Sequence, residues 1–335
     1  RNKLICLRTF VRGYCQVGSH TPVLLNECIS AMRIPELPPG AVIIDGTFGA
    51  GGHTRRILEK NNSCTVYCVD QDETVFQSEN YCKLKEKYKN RMKECLGNFR
   101  NLEEITGLSA GSVDAILLDL GMSSMQVDST RGFSFRPEFD GDLDMRMSKE
   151  GQITAKDVVN NYSEAHLANI FHRLGEELGA RRVAQGIVSY RNKKPINTSN
   201  ELAQLVARYV RKSRSNPATK VFQALRIFVN DEINSLAEGL QQVEILLKPG
   251  GRGAILSYHS IEDKIVKSFF KYGSGVTVFD NTLSSPTFLL HQKKVVKPTK
   301  SEIQSNIRAR SAKLRVIERT TVKECCGKLF FEQMY

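Results

Sequence analysis

Apolar positions along this chain follow two different periods. Short runs with little polar interruption occur at Val42-Ile43-Ile44, Thr65-Val66-Tyr67-Cys68-Val69, Arg91–Leu96, Val113–Leu118 and Gly253–Ser257. Rich in β-branched residues, they read as strands buried on both faces, the signature of a parallel sheet. Between them the spacing turns helical, with an amphipathic helix opening over Thr54–Leu58 and another over Glu73–Leu84. Asn216-Pro217 reads as an N-cap with proline at the first helical position, starting a long helix closed by Gly250. A further helix follows over Ile261–Tyr272, and Ser311–Ile317 looks like a last strand. Strands alternating with helices predict an open α/β sheet.

Residues 151–215 break the alternation. Ser163 is a good N-cap, and Leu167, Ile170, Phe171 and Leu174 follow at helical spacing. Thr198-Ser199-Asn200-Glu201 is a capping box before Leu202, Leu205, Val206, Tyr209 and Val210. No strand signal intervenes, so this span is a helical insertion.

Polar residues gather where the strands end. Asp45 closes the first strand and is followed by Gly46-Thr47-Phe48-Gly49-Ala50-Gly51-Gly52-His53, a turn that lets a ligand approach the backbone. The dinucleotide pattern G-x-G-x-x-G is not met, because Thr54 takes its sixth position. Asp70 ends the second strand, about 20 residues beyond the glycines, where a carboxylate grips a ribose diol. Nicotinamide cofactors and S-adenosylmethionine both satisfy these features. Phe99, after the third strand, is placed to stack on an adenine ring or to pack in the core. Past the fourth strand, Asp119-Leu120-Gly121-Met122-Ser123-Ser124-Met125-Gln126 clusters a carboxylate, two hydroxyls and an amide. Arg131-Gly132-Phe133-Ser134-Phe135 and Asp142–Met147 suit an ordered loop.

Charge adds a partner class. Lys and Arg number 48 against 36 Asp and Glu, a net +12. Residues 151–220 hold 12 basic and 5 acidic residues, including Lys193, Lys194, Arg208, Arg211, Lys212 and Arg214; residues 292–320 hold 9 and 2. Such surpluses point to a polyanion. No apolar run reaches the ~20 residues that span a bilayer. Nine cysteines without a C-x-x-C pair suit reduced thiols, and no metal site is expected. Residues 1–26 carry Arg1, Lys3, Arg8 and Arg12 and no acid, the composition of a transit-peptide remnant or of a disordered basic tail.

Taken together, the motifs resemble the RsmH (MraW) family of S-adenosylmethionine-dependent rRNA cytosine-N4 methyltransferases. The resemblance runs from His20 to Glu318. It rests on His20-x-Pro22-Val23-Leu24-Leu25-x-Glu27, the glycine turn from Asp45 to His53, and Asp119-Leu120-Gly121-x-Ser123-Ser124-x-Gln126-x-Asp128. Arg131–Phe135, Leu143–Met147, Pro217–Ile227, Ser257-x-His259-Ser260-x-Glu262-Asp263 and Arg308–Arg315 complete it. Four positions depart from the family pattern: Asn216 stands in place of His, Lys220 of Arg, Tyr258 of Phe, and Ile307 of Pro.

The resemblance implies a class I methyltransferase: a Rossmann-like, mostly parallel seven-stranded sheet with an inserted helical domain. The expected division is a basic tail over 1–18, a methyltransferase domain over 19–127 and 216–321, a helical substrate-recognition domain over 128–215, and a tail over 322–335. The cofactor is S-adenosyl-L-methionine, with Gly51, Gly52, His53, Asp70, Phe99, Asp119 and Gln126 as its binding residues. Asp119 is the leading candidate for the acceptor on the amine, with Ser123, Ser124 and His259 holding the base. The implied substrate is a cytidine near the decoding region of small-subunit rRNA, mitochondrial 12S rRNA in the matrix or its bacterial counterpart in the cytoplasm. An assembly-factor protein is a second expected partner. A non-catalytic assembly factor that binds small-subunit rRNA is the alternative function.

Overall fold

The computed structural model describes residues 22–149, 153–210, 216–276, 285–291, 294–323 and 325–334. Seven strands form one sheet: β1 (Val42–Asp45), β2 (Thr65–Asp70), β3 (Met92–Leu96), β4 (Val113–Asp119), β5 (Leu247–Ser257), β6 (Phe288–Leu290) and β7 (Lys313–Arg319). Their order is β3-β2-β1-β4-β5-β7-β6. Strands β1 to β5 pair in parallel, while β7 runs antiparallel to both β5 and β6. This is the mostly parallel, seven-stranded class I sheet.

Alternation within each strand feeds two cores. Ile43, Ala115 and Leu117 face one side, with Cys28 and Ile29 of the Leu25–Ala31 helix and Ile57 of the Gly52–Lys60 helix. Ile44, Ile116 and Leu118 face the other, against Leu236, Leu240 and Val243 of the Glu232–Leu246 helix and Val266 and Phe269 of the Ser260–Gly273 helix. Both faces being covered explains why these strands read as unbroken apolar runs. The order reverses between β1 and β4, and in an open α/β sheet the ligand crevice lies at the carboxyl ends there.

A third core belongs to the insertion. It runs from Phe133 to Leu225 and joins the helices Ala155–Asn161, Glu164–Gly175, Ala180–Arg191 and Ser199–Ala207. Ser163 and Thr198 cap their helices, accepting from His166 N and Glu201 N, but the Glu201 carboxylate accepts from Asn197 N (2.9 Å), so the expected box is half formed. The Thr219–Val229 helix also packs here, through Val221, Phe222, Ala224 and Leu225. The insertion's core therefore extends past residue 215 into a segment expected to belong to the methyltransferase domain.

Four expectations need correction. The helix expected over Glu73–Leu84 is a 3-10 turn, Glu73–Gln77, followed by a separate helix, Glu79–Tyr88, capped by Ser78. The single helix from Asn216 to Gly250 is two helices, Thr219–Val229 and Glu232–Leu246, broken where Asp231 takes a left-handed backbone at φ 48°. Gly250 closes no helix; it lies within β5, where the register jumps from Val113↔Leu247 to Ala115↔Arg252. Residues 322–335 are not simply a tail. Gly327–Met334 is a helix whose Phe330 and Phe331 pack against Phe269, and the buried Glu244 carboxylate accepts from Cys326 N (2.9 Å) and Gly327 N (2.8 Å).

Candidate active site

The cleft at the β1/β4 switch point is built on the glycine turn. Gly49 and Gly51 have φ 52° and 75°, a region where a side chain costs strain. Behind the turn, the buried Asp45 carboxylate accepts from the Thr54 hydroxyl (2.7 Å) and from Thr47 N (3.4 Å). Burial raises its pKa, against the opposing pull of His53 and Thr54. Asp45 braces the turn and is absent from the cleft lining. Gly51 also lies behind the wall, where a Cβ would meet the Phe48 ring at 2.6 Å and Leu84 at 2.8 Å. Gly52 does line the cleft, packed so closely on Pro22 that a Cβ would stand 2.2 Å from its Cγ. His20, expected in this opening motif, lies outside the described residues.

Asp70, Phe99 and Gln126 line the same cleft. One Asp70 oxygen accepts from Gly49 N (2.8 Å), tying the end of β2 to the glycine turn, and the other from Asp72 N (2.9 Å). Burial raises its pKa to about 6 in spite of those two donors. Phe99 begins a short helical turn capped by Asn98, whose side-chain amide donates to Gln71 (2.9 Å) and Ser235 (3.3 Å). Gln126 is buried; its amide accepts from Ser123 N (3.1 Å) and donates to Asp72 (3.4 Å).

Asp119 is held from three sides. Its amide donates to the Thr47 hydroxyl (2.6 Å), and its Oδ1 accepts from the Tyr258 hydroxyl (2.7 Å). Its Oδ2 lies 3.9 Å from His53 Nδ1, while His53 Nε2 contacts Val23 O at 3.2 Å. Burial first, then the Asp119 carboxylate, push the Tyr258 phenol well above its ordinary pKa, so it remains a donor. Ser123 joins Asp119 in the lining, and its Oγ accepts from Gln126 N (3.2 Å). Ser124 opens the Ser124–Val127 helix; its side chain is outside the described set. His259 is not in the lining. It caps the Ser260–Gly273 helix, its Nδ1 accepting from Glu262 N (3.4 Å).

Five further residues line the cleft: Met122, Met147 and Glu262, which the sequence motifs contain without a site role, and Asn230 and Glu232, which sequence reasoning misses. Both Glu232 oxygens accept from Arg226, one from Nε at 2.7 Å and the other from Nη2 at 2.8 Å. Burial raises the Glu232 pKa although Arg226 opposes the shift. Donor atoms of Glu232, His259 and Glu262 lie within 4.8 Å of one another, a spacing a metal ion could bridge. Arg226 already supplies a cation to Glu232, and Glu262 accepts from Tyr258 N (2.8 Å). His259 Nε2, 2.9 Å from a Glu262 oxygen, is buried without a hydrogen bond of its own. Asn230 ties this part of the lining to the insertion, accepting from Met147 N (2.7 Å) and donating to Met145 O (2.8 Å). The one available signal is the Asn230-Asp231 pair, two residues that favour turns.

The two basic segments fare differently. Lys193 and Arg208 are exposed on the insertion, and Arg211, Lys212 and Arg214 lie outside the described residues. In the later segment much of the charge is used internally. Lys313 and Arg315 both pair with Asp263 at 2.8 Å, and buried Arg319 donates to Glu244 O and Thr287 O. Among the described residues, no helix is long and apolar enough to cross a membrane.

A family model described as the MraW methylase family matches residues 18–320. Curated relatives named ribosomal RNA small subunit methyltransferase H agree over nearly the whole chain. That of Granulibacter bethesdensis is 42% identical, covering 91% of this chain and 93% of its own. That of Ehrlichia chaffeensis is 43% identical over 89% and 99%, and that of Methylobacterium nodulans 44% over 90% and 90%. A solved rRNA methylase from Streptococcus thermophilus aligns over 88% of this chain and 95% of its own, at 13% identity and a TM-score of 0.41.

Proposed function

This chain belongs to the MraW methylase family, and from that premise we propose that it methylates the exocyclic N4 of a cytidine in small-subunit ribosomal RNA. It is a methyltransferase, and its cofactor is S-adenosylmethionine. The residues fit that group. Glycines admit the close approach of a ligand at the β1 turn, Asp70 offers carboxylate lone pairs for a ribose diol, and Phe99 offers a ring face for adenine. When bound, S-adenosylmethionine supplies a methyl group on a positively charged sulfur.

The observation that carries the N4 reading is Asp119, an oriented carboxylate in the same cleft. The lone pair of a cytosine amine is delocalised into the ring, so the amine is a poor nucleophile. A fixed carboxylate accepting one amine hydrogen draws that lone pair outward and then takes the proton. Tyr258 fixes the carboxylate and Thr47 the Asp119 backbone amide in advance, so little reorganisation is needed as charge develops. Met122, Asn230, Glu232 and Glu262 line the same cleft and are available to the base. A base inside a duplex cannot reach Asp119, so the cytidine enters unpaired or flipped.

The named relatives are bacterial. The finer reading, a mitochondrial matrix enzyme acting on 12S rRNA, rests on the basic, acid-free composition of residues 1–26. An assembly-factor partner is an expectation from the resemblance alone. The test of the chemistry is incubation with labelled S-adenosylmethionine and small-subunit rRNA, followed by mass spectrometry of nucleosides. N4-methylcytidine is the expected product; label on another base or atom overturns the assignment. Rescue of subunit assembly by Asp119→Asn without methylation would favour the non-catalytic alternative.

A further inference from the structure

The Glu164–Gly175 and Ala180–Arg191 helices are joined by a loop that shows Leu178 to solvent at 93% exposure. Other leucines of the insertion, Leu167, Leu202 and Leu205, are almost wholly buried. An apolar side chain left out is common on a loose loop, but this loop is fastened. Glu176 ends the first helix with a left-handed backbone at φ 51°. Glu177 N donates to Phe171 O (3.1 Å), and the buried Glu177 carboxylate accepts from Gly179 N (2.7 Å). Ala180 N donates to Glu177 O (3.2 Å).

Two further bonds fix where the loop sits. Lys220 Nζ donates to Glu176 O (2.8 Å), and the Ser260 hydroxyl donates to the Glu176 carboxylate (2.6 Å). Ser260 stands two residues after Tyr258, which holds Asp119, and two before Glu262, which lines the cleft. The loop is therefore clamped to the turn that builds the catalytic wall. Residues 178–194 contain five basic residues and no acid, and Arg181 and Arg182 are exposed directly beyond Leu178. Those two arginines suit phosphates, whereas Arg191 and Lys194, at the other end of the helix, are engaged by Val159 O and Glu201.

We propose that Leu178 is an unstacking wedge, which inserts into the RNA stack beside the target and fills the gap left when the cytidine turns into the cleft. The inference rests on base methylation as the function. A flipped base leaves its neighbours without a stacking partner, and nucleic-acid-binding proteins insert rigid apolar side chains at such steps. A fastened loop keeps the wedge in register with the cleft, and the flanking arginines hold the adjoining phosphates.

Leu178→Ser and Leu178→Met test the idea on two substrates, folded small-subunit rRNA and a short unstructured cytidine oligonucleotide. The serine variant is expected to methylate folded rRNA at least tenfold more slowly while keeping wild-type rates on the oligonucleotide and wild-type cofactor affinity. The methionine variant, which restores bulk, is expected to keep most activity on both. Separately, 2-aminopurine placed next to the target in a hairpin should brighten on binding wild type and Leu178→Met but not Leu178→Ser. Equal loss on both substrates, or no loss on either, overturns the wedge. So does a loss seen only on protein-containing subunits, which would make Leu178 a protein anchor. If wild type labels no cytidine at all, the function proposed above falls, and the fluorescence decides the wedge alone: brightening that survives the serine change refutes it.

Discussion

The Tyr258 hydroxyl points at Asp119 Oδ1 from 2.7 Å, joining the end of β5 to the end of its neighbour β4. Tyr258→Phe removes only that donor. A hydrogen bond to a charged group contributes about 1.5 kcal/mol at the lower end of its range, or roughly tenfold in rate if the benefit is realised in the transition state. The expected outcome is a fall of that size in kcat with the KM for cofactor within twofold. Asp119→Asn removes the anionic acceptor itself, and N4-methylcytidine should drop below detection while circular dichroism stays native. Methylation at the wild-type rate by the asparagine variant would remove Asp119 from the reaction.

Cofactor affinity should depend on pH through Asp70. Its folded pKa of about 6 lies above the ordinary 3.8 because burial penalises the anion. Ribose hydroxyls donate to the anion, so binding should be constant above pH 7 and weaken as pH falls through 6 toward 5. The linkage to folding has the opposite sign. Stability associated with the neutral carboxyl is complete below 3.8 and is lost as pH rises to about 6. Calorimetric titration between pH 5 and 8 measures the first effect; Asp70→Asn should flatten that profile at reduced affinity.

Arg226 and Glu232 form a pair whose side chains are only 12% and 14% exposed. Removing one partner strands the other, at a cost of about 3–5 kcal/mol for a buried pair. Arg226→Leu should therefore lower the denaturation midpoint markedly. Adding Glu232→Leu to it should recover much of that loss while damaging activity on RNA. If the double variant is no more stable than the single one, the pair is not an isolated charge couple.

For RNA binding, Arg208→Ser combined with Arg211→Ser, Lys212→Ser and Arg214→Ser should weaken affinity and leave cofactor binding alone. Each phosphate left without its cation lowers the slope of log affinity against log salt by about 0.7 on single strands. An unchanged slope in the quadruple variant would mean that these side chains make no phosphate contact. Replacing Lys313 and Arg315 instead should act mainly on stability, because both are committed to Asp263.

The strands were legible because burial on both faces writes itself as uninterrupted apolar residues, as in Val113–Leu118. The glycine turn and Asp119 were legible because they follow those strands directly. The break at Asn230-Asp231 was not, since helical spacing continues on either side of it. With the break went Asn230 and Glu232, two residues of the cleft lining. At three residues, β6 is too short to show a period. His259 has the composition of a catalytic residue, yet its partners are the backbone and carboxylate of Glu262, a capping role that sequence alone does not distinguish.

The order of the strands also sets a timetable for synthesis. β4 ends at Asp119 and its neighbour β5 begins at Leu247, 128 positions later (247 − 119). At about 5–20 residues per second, β4 emerges from the ribosome roughly 6–26 seconds before β5 can cover its edge. An apolar strand with an open edge invites pairing with a foreign chain. During that wait the segment being made is the helical insertion, whose core from Phe133 to Leu225 closes almost entirely on itself. The nascent chain can thus bury one hydrophobic unit while a half-built sheet stands by. Chaperone dependence should fall most heavily on variants that slow the insertion's own folding.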